Sequence, residues 1–330
     1  MRFLMLGYKP YFPMILSALA GTEFLTKNEF DLVLAKPPSK KSNQTILDEF
    51  NIHLERSQLA QFLQSVEQSE ALHLQLFPEI DLNFLSSYPN IRFRDYQGLE
   101  HLDNLETYDF MIVSSYAHKI PRSIFDQPKH GTLNIHPSFL PNLRGGYPTY
   151  IQAFDPTQPR GTTIHVMSDE WDDGEIVVQK RAEQENPLTN EELLSLSAQD
   201  AAQLLNQLHQ QAFEVEKMPQ DLGQVSYCHK LMKRQHYLEK MPSAEAFEGF
   251  VRANYDRYLY PFTFTLYENQ LFIILDVARV PVELVPSYNF SNKKIVNIAD
   301  RYYLRFDDTI YQITKAIFKG LYVEEVPDFS

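Results

Sequence analysis

Between Gly131 and Pro148 the chain reads Gly-Thr-Leu-Asn-Ile-His-Pro-Ser-Phe-Leu-Pro-Asn-Leu-Arg-Gly-Gly-Tyr-Pro, and two of these residues can share one chemical task. The β-branched and apolar run Thr132, Leu133 and Ile135 predicts a short strand. Strand alternation then points Asn134 and His136 to the same side. A carboxamide N–H can hold a developing oxyanion, and an imidazole of near-neutral pKa can move a proton. Transfer of an acyl-type group to a nucleophile needs both. Either residue alone would read as a cap or turn residue. Together they stand where glycine is concentrated: five of the chain's 11 glycines, Gly131, Gly145, Gly146, Gly161 and Gly174, fall between 131 and 174. Glycine permits the close approach of backbone to a ligand. Pro137, Pro141, Gly145, Gly146 and Pro148 end the strand in a loop. In open α/β sheets, ligands bind at that carboxyl end of the strands.

The elements that must position this pair follow from periodicity. Strands are expected at residues 2–7, 30–35, 72–77, 109–115, 162–167 and 175–180, the last antiparallel to its neighbour because the connection is short. Helices are expected at 11–20, in glutamine-rich material at 57–69, at 148–154 behind Pro148, and at 188–213 behind a Thr189 cap. The first strand–helix turn, Gly7-Tyr8-Lys9-Pro10, lacks the G-x-G-x-x-G spacing of a dinucleotide site. The loop after the second strand carries Lys36, Lys40 and Lys41; it reads as solvated surface or as a phosphate contact. The alternation of strand and helix predicts an α/β, doubly wound, Rossmann-like and mostly parallel sheet over 1–215. The pattern breaks over 216–241, a linker. A helix at 243–253 and strands at 262–266, 271–277, 294–298, 302–306 and 310–318 then predict a small β-rich domain over 242–330, an OB-like barrel.

Asn134-x-His136-x-Ser138-Phe139-Leu140-Pro141-x-x-Arg144-Gly145, then Gly161-Thr162-Thr163-Ile164-His165, then Asp172-Asp173-Gly174-Glu175-Ile176 resembles the formyltransferases that use 10-formyltetrahydrofolate. The resemblance is strongest over 109–180. It extends more weakly to Tyr227-Cys228-His229-Lys230 and the part after it, as in the longer, methionyl-tRNA formyltransferase-like members. Matched residue by residue, it implies a catalytic triad of Asn134, His136 and Asp172. It implies a pterin-lining loop with His118, Lys119, Ile120 and Pro121, joined by Asp169 and Asp173 of the polar turn. Ser138, Arg144, Gly145 and Gly146 then fall to the acceptor, with Lys40 and Lys41 as candidate phosphate contacts. Arg144 reads equally as a loop-holding residue. Phe139 departs from the family's usual Leu, and Asp173 is a second candidate acid. His165, mid-strand between Ile164 and Val166, reads as structural or at the rim.

Composition narrows the partners. A net charge of −13 opposes a broad nucleic-acid surface, and residues 205–330 hold 14 Lys and Arg against 16 Asp and Glu. A tRNA acceptor is thus less favoured than a nucleotide-linked amino sugar, whose base the many Tyr and Phe (19 and 23) could stack. Hydroxyornithine, as in siderophore synthesis, is a further acceptor, and hydrolysis of the formyl donor a rival reaction. A glycinamide ribonucleotide acceptor is disfavoured by the missing glycine-rich phosphate loop. The single Cys228 fits a reducing cytoplasm, no apolar run reaches membrane-span length, and residues 1–8 read as a strand rather than a signal peptide. No histidine spacing is that of a metal motif. The oligomeric state stays open, a homo-oligomer included.

Overall fold

The computed structural model describes residues 1–35, 64–65, 68–69, 72, 75–116, 118–183, 186–228, 237–255, 263–268, 270–285, 290–319 and 321–325. Seven strands form the first sheet: β1 (Arg2–Gly7), β2 (Glu29–Leu34), β3 (Ile91–Arg94), β4 (Phe110–Ser114), β5 (Thr132–His136), β6 (Gly161–Val166) and β7 (Ile176–Arg181). Their order is β3-β2-β1-β4-β5-β6-β7. The first five are parallel, and β5–β6 and β6–β7 are antiparallel. The order reverses direction at β1/β4, the crevice where such sheets bind ligands.

Both faces of this sheet are covered, which accounts for its near-continuous apolar strands. Phe3 and Met5 of β1 pack on one side with α1 (Tyr11–Ala18), α2 (Glu23–Lys27) and the long α5 (Asn190–Gln210), while Leu4 and Leu6 pack on the other with Tyr108 and Phe125. Two short helices lie between, α3 (Arg122–Phe125) and α4 (Pro148–Phe154), the latter with Pro148 in its first turn as its sequence foretells. Thr189 caps α5 in a reciprocal capping box with Glu192.

The second sheet is antiparallel throughout. β8 (Phe264–Tyr267), β9 (Gln270–Val280), β10 (Ile295–Ile298), β11 (Arg301–Phe306), β12 (Thr309–Phe318) and β13 (Leu321–Glu324) run in the order β10-β11-β12-β9-β8, with β13 on β12. The strands curl into a half-barrel around α6 (Ala244–Ala253), whose Phe247 and Phe250 are fully buried. Tyr150 and Ala153 of α4 and Leu193 of α5 belong to the same apolar cluster.

One expected strand is absent among the described residues. Within 72–77, residues 72 and 75–76 are helical, continuous in type with 64–65 and 68–69. A short apolar run there carries no periodicity that separates a strand from a helix. Lys40 and Lys41 and most of the expected helix at 57–69 lie outside the described residues. No helix among the described residues is long and apolar enough to cross a membrane.

Candidate active site

Strand β5 delivers Asn134 and His136 to one face of the sheet edge. Its antiparallel neighbour β6 sets His165 directly opposite Asn134 and Thr163 opposite His136. The polar turn after β6 then folds back and brings Asp172 between them. Two backbone features allow this. Asp172 itself takes a left-handed conformation (φ 52°). At Gly174 a Cβ would lie 1.8 Å from the Val166 carbonyl oxygen, so a side chain there would push the turn off the strand.

The result is a buried polar cluster. Asn134 donates from Nδ2 to Asp172 Oδ1 and, at the same 3.1 Å, lies against His165 Nε2. Asp172 Oδ2 accepts the Gly145 N–H at 2.7 Å and faces His136 Nδ1 at 3.5 Å. His165 Nε2 stands 3.4 Å from Asp172 Oδ1, and its Nδ1 is 2.9 Å from the Val166 carbonyl. A carbonyl only accepts, so the His165 hydrogen sits on Nδ1 and Nε2 receives the Asn134 amide. By the same reasoning His136 carries its hydrogen on Nε2, 2.8 Å from the Leu143 carbonyl. His136 is 4% exposed and Asp172 9%.

Electrostatics follow from this burial. Desolvation, opposed by the Asp172 charge and the Leu143 carbonyl, depresses the His136 pKa below the usual imidazole range. His136 is therefore an unprotonated base near neutrality. Desolvation alone would raise Asp172, but the positive charge that His136, and then His165, carries when protonated, together with the Gly145 N–H, outweighs it and holds the carboxyl well below the usual carboxylate range. The group pairing is that of a base beside a fixed anion, with an amide donor alongside.

The expected site residues distribute unequally. His118, Lys119, Ile120, Gly145, Gly146, Asp169 and Asp173 line one cavity with the cluster, whereas Pro121 caps α3 behind it. Lys119 Nζ donates to the Asp169 carbonyl at 2.8 Å, and Arg122 reaches the Asp169 carboxylate at 3.2 Å, so these two loops are tied together. Ser138, which the resemblance gives to the acceptor, is fully buried and donates to the Asn142 carbonyl at 2.7 Å within the loop. Arg144 has the geometry of a loop-holding residue. Its guanidinium is buried, bonds Gln220 Oε1 at 2.7 and 3.1 Å, and pairs with Asp173. Gln220 in turn donates to the carbonyls of Asp172 and Gly174 at 2.8 Å each.

His165, read from its mid-strand position as structural or at the rim, is a buried member of the cluster; only the β5–β6 register reveals that it faces Asn134. Gln220, Ser226 and Cys228 were also hidden. They come from a stretch without periodicity, and only its pairing with residues 141–144 brings them to the site.

The cavity holds roughly 750 Å³, within the range of small-molecule sites. It opens at the carboxyl ends of β1, β4 and β5, with Tyr8, Lys9 and Tyr116 on its far wall. The Tyr8 and Tyr116 rings stack at 5.1 Å. Among the described residues four aromatic rings are strongly exposed, and three of them, Tyr147, Trp171 and Tyr227, line this cavity.

Comparisons with known proteins converge on the same segment. Residues 80–208 match the profile of the formyl transferase family. A methionyl-tRNA formyltransferase of Syntrophomonas wolfei is 32% identical over 148 residues, covering 44% of this chain and 47% of that protein. The chain thus spans about half the length of the curated relatives it matches. Two solved structures share the fold. One is WlaRD, a sugar 3N-formyl transferase crystallised with dTDP and 5-N-formyl-THF (TM-score 0.55, 12% identity, 95% of this chain and 97% of that one). The other is HypX from Aquifex aeolicus in complex with tetrahydrofolic acid (TM-score 0.54, 13% identity, 76% of this chain and 42% of that one). Asn134, His136, His165 and Asp172, the residues of the polar cluster, all fall within the segment 80–208 that matches the formyl transferase profile.

Proposed function

We propose that this protein transfers a formyl group from 10-formyltetrahydrofolate to a primary amine, with a nucleotide-linked amino sugar as the acceptor. The observation that carries the reading is the Asn134–His136–Asp172 cluster at the floor of a ligand-sized cavity. The residues present fit a folate: stacked rings on one wall, the 118–120 loop beside them, and an amide donor next to an unprotonated base. When bound, the folate supplies a formyl group activated as an amide.

The chain's own groups then have defined tasks. His136 takes the amine's proton at Nδ1, where Asp172 faces the resulting imidazolium. That new charge draws Asp172 toward His136 and releases one Asn134 N–H from the carboxylate. The freed donor holds the negative charge developing on the formyl oxygen as the new C–N bond forms, a contribution typically worth about 3 kcal/mol of barrier. His136 would then return its proton to the donor nitrogen as the old C–N bond breaks, which restores the neutral imidazole. His165 keeps the other Asn134 hydrogen and so fixes the plane of the amide.

Support for the acceptor comes from the cavity's exposed rings. Tyr147, Trp171 and Tyr227 offer stacking surface for a nucleobase. Lys9, which lines the cavity and bonds Glu79 at 2.8 Å, is a cation available to a diphosphate. Lys40 and Lys41, assigned to that task from sequence, lie outside the described residues. Methionyl-tRNA is the second reading, favoured by the name of the relatives matched over half their length. One assay separates these: 10-formyltetrahydrofolate with nucleotide-linked amino sugars, hydroxyornithine, methionyl-tRNA or no acceptor. Tetrahydrofolate release only with an amino sugar is expected. Release without acceptor would make the protein a hydrolase, and turnover with methionyl-tRNA alone would overturn the acceptor but not the chemistry.

A further inference from the structure

We infer that Ser226 and Cys228 are positioning residues for His136, acting through the main-chain carbonyl of Leu143; the inference rests on the formyl-transfer reading only for its effect on turnover. Leu143 stands at φ 59°, in the left-handed region that a leucine rarely occupies without support from its surroundings. Here the support is a strap from the segment after α5. The Leu143 N–H donates to Ser226 Oγ at 2.9 Å. Around it, Arg144 N–H donates to the Ser226 carbonyl at 2.9 Å, Cys228 N–H to the Arg144 carbonyl at 2.8 Å, and Ser226 N–H to the Pro141 carbonyl at 3.3 Å. The Leu143 carbonyl so placed accepts from two side chains, His136 Nε2 at 2.8 Å and the Cys228 thiol at 3.3 Å.

This arrangement selects the imidazole tautomer. With Leu143 O holding the Nε2 hydrogen, Nδ1 is left as the basic nitrogen, facing Asp172 Oδ2 at 3.5 Å. Were the carbonyl to swing away, the hydrogen would move to Nδ1, where the carboxylate attracts it. The base would then be occupied on the side where it must act. Among the described residues, the groups facing His136 are the Asp172 carboxylate, the Leu143 carbonyl, the Cys228 thiol beside it, and the His165 ring with its centroid 6.5 Å away. Of these, only the carbonyl and the thiol are set by the strap. Cys228 competes with His136 for one oxygen, so it weakens the bond that stabilises the imidazolium.

The test is ¹⁵N NMR of histidine-labelled full-length protein, with the His136 signals assigned by their loss in His136→Gln. The wild type should show the Nε2–H tautomer. Ser226→Ala should shift the population toward Nδ1–H and lower kcat tenfold or more, with KM for both substrates changed less than twofold. Ser226→Thr should restore both. Two further substitutions carry the inference if Ser226→Ala fails to fold. Cys228→Ala, which leaves the carbonyl to His136, should raise the His136 titration midpoint, and Cys228→Ser, a stronger donor, should lower it. An unchanged tautomer in folded Ser226→Ala, or midpoints that do not move in opposite directions in the two Cys228 variants, would overturn the inference. Because tautomer and midpoint are read without substrates, failure of the formyl-transfer assay leaves this result standing, and the reverse holds too.

Discussion

At the scale of single residues, the cluster makes the two acids of the polar turn unequal. Asp172 faces His136 and Asn134, whereas Asp173 turns to Arg144. His136→Ala should leave cofactor binding within a few-fold and remove transfer, and Asp172→Asn should lower kcat by roughly 10²–10³, the scale of losing one fixed electrostatic partner. Asp173→Asn should cost less than tenfold; the reverse order in steady-state kinetics would mean that the wrong acid has been chosen. The depressed pKa of His136 also has a sign for stability. Unfolded, the imidazole titrates near its ordinary value of about 6.5, so below that pH the unfolded chain binds a proton that the folded one refuses, and stability falls with acid. Denaturant midpoints between about pH 6.5 and 5 should decline more steeply for the wild type than for His136→Gln. Parallel slopes would show that the imidazole is solvated. Cys228 gives a third check. Burial, and then the Asp172 charge, push its thiol up to about 12. Iodoacetamide should therefore alkylate it on the order of a thousandfold more slowly than a free cysteine at pH 7.5. Asn134 and His136 were legible because strand alternation is local information. His165 was not, because its place depends on which residue of β5 lies across from it.

At the scale of elements, the sequence is informative where periodicity or a cap is strong. Four of the five parallel strands, β1, β2, β4 and β5, carry buried apolar runs, α5 announces itself with Thr189 and Glu192, and α4 with Pro148. It fails for the isolated segment at 72–77, and β3 and β13, four residues each, are too short to carry a pattern. Two predictions belong here. Thr189→Ala removes the hydroxyl that accepts the Glu192 N–H, while the backbone N–H of residue 189 can still donate to Glu192, and should cost about 1 kcal/mol by denaturant titration. Gly174→Ala forces a Cβ against the Val166 carbonyl and should displace Asp172. Displacements near 1 Å at a reacting centre can cost about 10² in rate, so kcat should drop by that order while the fold, followed by circular dichroism, persists. Unchanged turnover would show that the turn has room to shift without moving its carboxylate.

At the scale of the whole molecule, the half-barrel is built onto the site's own support. Helix α4 begins immediately after the loop that carries Arg144 to Tyr147, and its Tyr150 and Ala153 share an apolar cluster with Phe247 and Phe250. Arg252 binds the Ala153 and Phe154 carbonyls at 3.1 and 3.3 Å, and Tyr150 donates to Asn254 at 2.9 Å. Phe247→Ala should therefore cost about 3–5 kcal/mol and, in differential scanning calorimetry, broaden or shift the transition of the whole chain. A separate low-temperature transition, with turnover intact, would mean that the half-barrel melts alone. The composition break at 216, chosen as the edge of the first domain, falls before Gln220, Ser226 and Cys228, all of which bond residues of the site. Such bonds leave no trace in local composition, which is why a boundary drawn from periodicity cuts through them. The strap also sets an order in time. A ribosome makes the first sheet and the imidazole first, and the residues that fix the imidazole only later. A nascent chain therefore passes through a stage in which Asn134, His136 and Asp172 exist but the Leu143 carbonyl is not yet held, and the strap closes only once residue 228 has emerged from the exit tunnel.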